Sequence, residues 1–121
     1  MKTLIALLLT SLPALALAQY SNPDKSFYEH AAQGGRVEVA AGKLAQKNGA
    51  SQAVKDFGAM MVEDHSASNK KLKKLADSKS VKLPEPSLTQ EAKLKMLEMK
   101  SGSSFDKDYI ESQVKAHKRD T

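Results

Sequence analysis

Apolar residues recur at alternating spacings of three and four along most of the chain, with polar residues between them. This period is that of an amphipathic α-helix, and no apolar–polar alternation is long enough to predict a strand. We therefore expect an all-α fold, an antiparallel helical bundle with short connections. The predicted helices cover residues 22 to about 47, 51 to about 79, 87 to 99, and 104 to 121.

Cap and turn residues set these boundaries. Pro23 stands at an early helical position, where its missing N–H does no harm, and Asn48 begins the Asn-Gly pair that ends the first helix. Ser51 is placed to cap the second helix. Pro84 and Pro86 predict a rigid connector before the third helix.

Residues 1–18 form a pattern of their own. Lys2 precedes an apolar run that polar residues and a proline interrupt, and the run ends on a small-x-small pattern at Ala16 and Ala18. This pattern is typical of a cleavable signal peptide and too interrupted for a membrane anchor. We expect residues 19–121 to form a single helical domain in the periplasm. Without cysteine the chain is no lipoprotein and has no disulfide.

The net charge is +5 at pH 7, and many of the lysines lie between Lys70 and Lys82. In an exported protein such a basic surface faces water or an anionic envelope surface, so we expect no nucleic-acid partner. The sequence contains no nucleophile motif and no glycine-rich phosphate loop. We therefore expect a protein that is not an enzyme.

Four polar residues fall on or beside the apolar faces of different helices. At about 100° per residue, Glu38 lies opposite the charged side of the first helix, within a stripe of small residues. His65 continues the apolar series of the second helix, with Asp64 at its border, and His117 continues the inward face of the fourth. A carboxylate inside a bundle needs a partner, and a histidine from a neighbouring helix is the expected one.

Two interpretations of this set stay open. Glu38, His65 and His117 could satisfy one another by hydrogen bonds, with no cofactor. Alternatively, together with Asp64, they could hold a transition metal, because carboxylates and imidazoles from facing helices build the metal sites of bundles. The sequence does not favour one metal over another.

Several motifs resemble one known family. They are residues 27–35 (FYEHAAQGG), 54–58 (VKDFG), 61–65 (MVEDH), and the later set Phe105, Asp106, Tyr109 and His117. They are similar to the exported bacterial domain of unknown function 4142, whose members are often labelled outer membrane proteins. The resemblance implies a ferritin-like bundle and motif residues at Glu38, Asp64, His65, Phe105, Asp106, Tyr109 and His117. It implies no established activity.

Members of that family usually continue into a further long helix that carries another histidine, whereas this sequence ends at Thr121. The resemblance therefore implies a bundle truncated before its last main helix. A bundle of that kind would expose an apolar groove, which favours self-association. We expect a periplasmic, non-enzymatic binding or envelope-stress protein. A metal-binding or redox bundle, and a cationic binder of anionic membrane, are the alternatives.

Overall fold

The computed structural model describes residues 22–119, and the predicted signal peptide lies outside them. Within this part the secondary structure is helical, apart from an isolated bridge between Gly49 and Gly102. The helices are α1 (Asn22–Asn48), α2 (Gln52–Ser78), α3 (Leu88–Glu98) and α4 (Gly102–Arg119). The predicted all-α bundle is confirmed. In the described residues no helix is long and apolar enough to cross a membrane.

The predicted cap of α2 forms, and α3 has a cap as well. The side chain of Ser51 accepts a hydrogen bond of 3.1 Å from the Val54 amide at the start of α2. Ser87 and Gln90 make a reciprocal capping box at the start of α3, which satisfies two amides that the helix itself cannot. α4 begins at Gly102, two residues before the predicted start, and Gly102 has a φ of 64° that favours glycine.

α1 and α2 form a hairpin in which two glycines let the backbones approach closely. A Cβ on Gly58 would lie 2.6 Å from the Cβ of Ala45 and 2.7 Å from the carbonyl oxygen of Gly42. A Cβ on Gly42 would lie 2.7 Å from the carbonyl oxygen of Gly58. These separations are well below van der Waals contact, so the packing of this half of the hairpin requires glycine on both helices.

The core lies where α4 crosses this tight half of the hairpin. Phe105 and Tyr109 are fully buried and pack with Ala41, Ala45 and Val54. The two aromatic rings stack with their centroids 5.7 Å apart. Because both rings come from the same face of α4, they fix how this helix docks against the small residues of α1.

Asp106 fastens α4 to the loop between α1 and α2. Its two carboxylate oxygens accept hydrogen bonds from the amides of Ala50, at 2.8 Å, and Ser51, at 3.0 Å. These hydrogen bonds, that of Ala50 first, lower the pKa of Asp106. Asp106 thus provides hydrogen-bond acceptors for the backbone amides at the start of α2, although it lies far from them along the chain.

α3 and the connector before it lie along α1. Gln33 donates a hydrogen bond of 3.0 Å to the carbonyl of Glu85, and Arg36 forms an ion pair with the same residue. Asn48 donates to the carbonyl of Glu98 at 3.1 Å. α3 contains no buried residue, so it covers one side of α1 without entering the core.

Candidate functional site

Glu38 lies near the middle of α1 and is half-buried, as expected for a carboxylate on the inner face. Its partner is not the histidine that we expected. The side-chain amide nitrogen of Gln113 on α4 donates a hydrogen bond of 2.8 Å to Oε2 of Glu38. A carboxylate can only accept, so this contact fixes the amide with its nitrogen toward Glu38 and its oxygen away from it.

Two buried polar atoms beside Glu38 have no hydrogen-bond partner among the described residues: the hydroxyl of Tyr109 and Oε1 of Gln113. Tyr109 is 0% exposed and Gln113 is 6% exposed. Burial, and after it the negative charge of Glu38, raises the pKa of Tyr109 to about 12. The phenol therefore keeps its proton at neutral pH. Native proteins rarely leave such buried groups without a partner.

Glu38 stands between two open grooves. The histidine groove, of about 560 Å³, runs between α1, α2 and the end of α4, and its walls include Gly34, His65, Leu72 and His117. The α3 groove, of about 430 Å³, runs between α1, α3 and α4, and its walls include Val37, Ala41, Leu94, Leu97 and Gln113. Glu38 lines both grooves, and both volumes lie in the range of small-molecule sites.

The structure brings the predicted polar residues only partly together. Glu38, His65 and His117 line the histidine groove, whereas Asp64 is exposed and outside the walls of either groove. His65 is half-buried. His117 is exposed, which corrects the expectation that it points inward, and its Nδ1 lies 2.8 Å from the carbonyl oxygen of Gln113.

The position of His117 follows from helix geometry. Successive steps of four residues advance about 40° around a helix that turns about 100° per residue. Phe105, Tyr109 and Gln113 therefore stay within the buried face of α4, and His117 is carried past its edge.

No group of three or more His, Asp or Glu side chains between residues 22 and 119 is close enough to hold a metal ion. The metal assignment of Glu38, Asp64, His65 and His117 stays a prediction. A metal site requires that its ligand atoms all lie at bonding distance from one ion. Residues that only line the same groove do not meet that requirement.

The motif residues Phe105, Asp106 and Tyr109 have a visible structural role: they dock α4 on the hairpin. Sequence reasoning did not identify Gln113 as a site residue. A signal existed, because Gln113 follows Tyr109 by four residues and is the last polar residue before that face turns outward.

Comparison with known proteins gives one family. The model of a family described as a domain of unknown function (DUF4142) matches residues 9–121. A comparison with the curated proteins and with the solved structures finds no match. The matched residues include both grooves and the motif of α4.

Proposed function

The chain belongs to the DUF4142 family, and on this premise we propose that it is an exported helical-bundle protein that binds a small ligand in the α3 groove without changing it chemically. One observation carries the proposal. A half-buried carboxylate, Glu38, lies at an open groove whose wall also contains Gln113, with a buried Oε1 that lacks a partner among the described residues. Apolar walls with a few convergent polar groups are typical of binding sites.

The chemistry of Glu38, Gln113 and the buried Tyr109 nearby favours binding over catalysis. An acid–base catalyst works best with a pKa near the working pH. The pKa of Tyr109 is raised to about 12, and the amide of Gln113 does not titrate. Among the described residues that line the α3 groove, Glu38 is the one carboxylate without an ion pair, since Asp108 is paired with Lys100. This supports a non-enzymatic role.

Export is part of the proposal and rests on the signal-peptide pattern of residues 1–18. The chain should be recovered from the periplasm with Gln19 as its first residue. Mass spectrometry of the periplasmic protein measures this directly. A protein that keeps residues 1–18 and stays in the cytoplasm would contradict it.

Ligand binding can be tested with a panel of small amines, carboxylates and alcohols, measured by the thermal stability of the protein. A compound that binds the folded state raises the melting temperature with its concentration. The blocking variant is Gly34→Leu, because Gly34 lines both grooves and a Cβ there meets no atom within 4 Å. Ala53→Leu, at an exposed position of α2, is the matched control.

We expect at least one compound to stabilise the unmodified protein and Ala53→Leu, but not Gly34→Leu. If no compound does so, or if Gly34→Leu responds equally, the binding function is wrong. Conversion of any bound compound to a product would contradict the non-enzymatic part of the proposal.

A second candidate function, binding to an anionic membrane surface, has its own supporting observation. Phe27 is 65% exposed and Leu75 is 44% exposed, and both line the histidine groove next to Lys71. Exposed apolar side chains among lysines are typical of surfaces that lie on anionic lipid. Binding to anionic vesicles should weaken steeply with salt and with Phe27→Ser. Salt-independent binding would contradict this candidate.

A further inference from the structure

The polar atoms at the α3 groove differ in what they can still do. The amide nitrogen of Gln113 is committed to Glu38, so its free Oε1 can only accept a hydrogen bond. The carboxylate of Glu38 can accept further hydrogen bonds beside the one from Gln113, because its two oxygens carry several lone pairs. A guest that bonds to both groups must therefore bring two or more hydrogen donors on one small group.

A primary ammonium group meets this requirement, because it carries three N–H donors and one positive charge. We propose that Glu38 and Gln113 bind the ammonium head of a primary alkylamine whose carbon chain lies in the α3 groove. This inference rests on the proposed binding function and adds the ligand class. The positive charge is balanced by Glu38, and charge-assisted hydrogen bonds of this kind are the stronger ones.

The walls of the α3 groove fit the carbon chain of such a ligand. Val37 and Ala41 of α1 line it together with Leu94 and Leu97 of α3. The groove volume of about 430 Å³ has room for a chain of several carbons beside the head group.

The same surroundings argue against other cations. Calcium takes six to eight oxygen ligands and magnesium close to six, whereas this site offers one carboxylate and one amide oxygen. A polyamine would bring further positive charges to a rim that carries Lys93, Lys115 and Arg119. The site therefore favours a ligand with a single ammonium group and an apolar remainder.

The test is calorimetric titration of the chain at pH 7 with four compounds of equal chain length. n-Hexylamine offers charge and N–H donors, hexyltrimethylammonium offers charge alone, 1-hexanol is neutral, and hexanoate is an anion. We expect n-hexylamine to bind at least about tenfold more tightly than the other three, as the loss of charged hydrogen bonds implies.

Two variants test whether n-hexylamine binds at Glu38. Glu38→Gln should weaken n-hexylamine binding about tenfold or more, since it removes the charge. Glu63→Gln removes the same charge from an exposed position of α2 and should leave binding unchanged. Circular dichroism checks that both variants fold, and the four-compound comparison does not depend on any variant.

The possible outcomes separate the two proposals. Equal binding of n-hexylamine and hexyltrimethylammonium would overturn recognition of the N–H donors. Binding of hexanol or hexanoate at this groove, without binding of the amine, would overturn the amine assignment and leave the binding function standing. If none of these compounds and none of the wider panel binds, both proposals fail.

Discussion

Replacement of Gly58 by alanine tests the packing on which the site depends. A Cβ at Gly58 would lie 2.6 Å from the Cβ of Ala45 and 2.7 Å from the carbonyl oxygen of Gly42. Carbon atoms prefer a separation of about 3.5–4.0 Å, so α1 and α2 must move apart by roughly 1 Å to admit the methyl group.

Two effects of opposite sign set the magnitude. Overpacking of a close contact costs about 1–3 kcal/mol. Alanine in place of glycine inside a helix stabilises by about 0.5–1 kcal/mol. The free energy of unfolding of Gly58→Ala should therefore fall by about 1 kcal/mol, within a range of roughly 0–2.5 kcal/mol.

Gly34→Ala is the matched control, since it makes the same substitution inside α1 at a glycine where a Cβ meets no atom within 4 Å. Only the helix-propensity effect remains there, so this variant should be more stable by about 0.5–1 kcal/mol. Urea unfolding followed by circular dichroism at 222 nm measures both free energies. Equal stabilisation by Gly34→Ala and Gly58→Ala would refute the close approach of α1 and α2.

Further predictions concern titratable groups and association. Hydrogen bonds lower the pKa of Asp106 below 3.8, so the charged Asp106 stabilises the folded protein above that pH. This stabilisation is lost as the pH falls through the lowered pKa. Asp106→Asn should thus be less stable than the unmodified protein at neutral pH, and the difference in the free energy of unfolding should shrink in acid. Unfolding measured across the acid range tests this, and a pH-independent difference would contradict it. Tyr109, with its pKa raised from 10.0 to about 12, should lose stabilisation as the pH rises through that interval, and Tyr109→Phe should not. A transition metal held by His65 and His117 with Glu38 would be absent from the double variant His65→Ala/His117→Ala, and equal metal content in both proteins would rule it out. Exposed apolar side chains such as Val114 predict self-association, and sedimentation of a monomer at all concentrations would count against it.

Much of the fold could be predicted because its signals are local. Ser51 caps the helix that it was expected to cap, since a cap depends on residues only three positions away. The inward position of Glu38 followed in the same way from the period of one helix. These features need no knowledge of how the helices pack.

The partners across helices could not be predicted from such patterns. Gln113 rather than a histidine meets Glu38, because the turn of α4 relative to α1 is set by the stacked rings of Phe105 and Tyr109. The contact of Asp106 with the start of α2 joins residues more than fifty positions apart. Both depend on helix docking, which the apolar period of a single helix does not specify.

The most direct test of the binding site is a nuclear magnetic resonance titration with n-hexylamine that follows the side-chain carboxyl carbon of Glu38 and the side-chain amide of Gln113. If the ammonium group binds between them, both signals shift together and saturate at one dissociation constant, which matches calorimetry. Saturable binding that leaves both signals unmoved would place the ligand elsewhere and contradict the site described here.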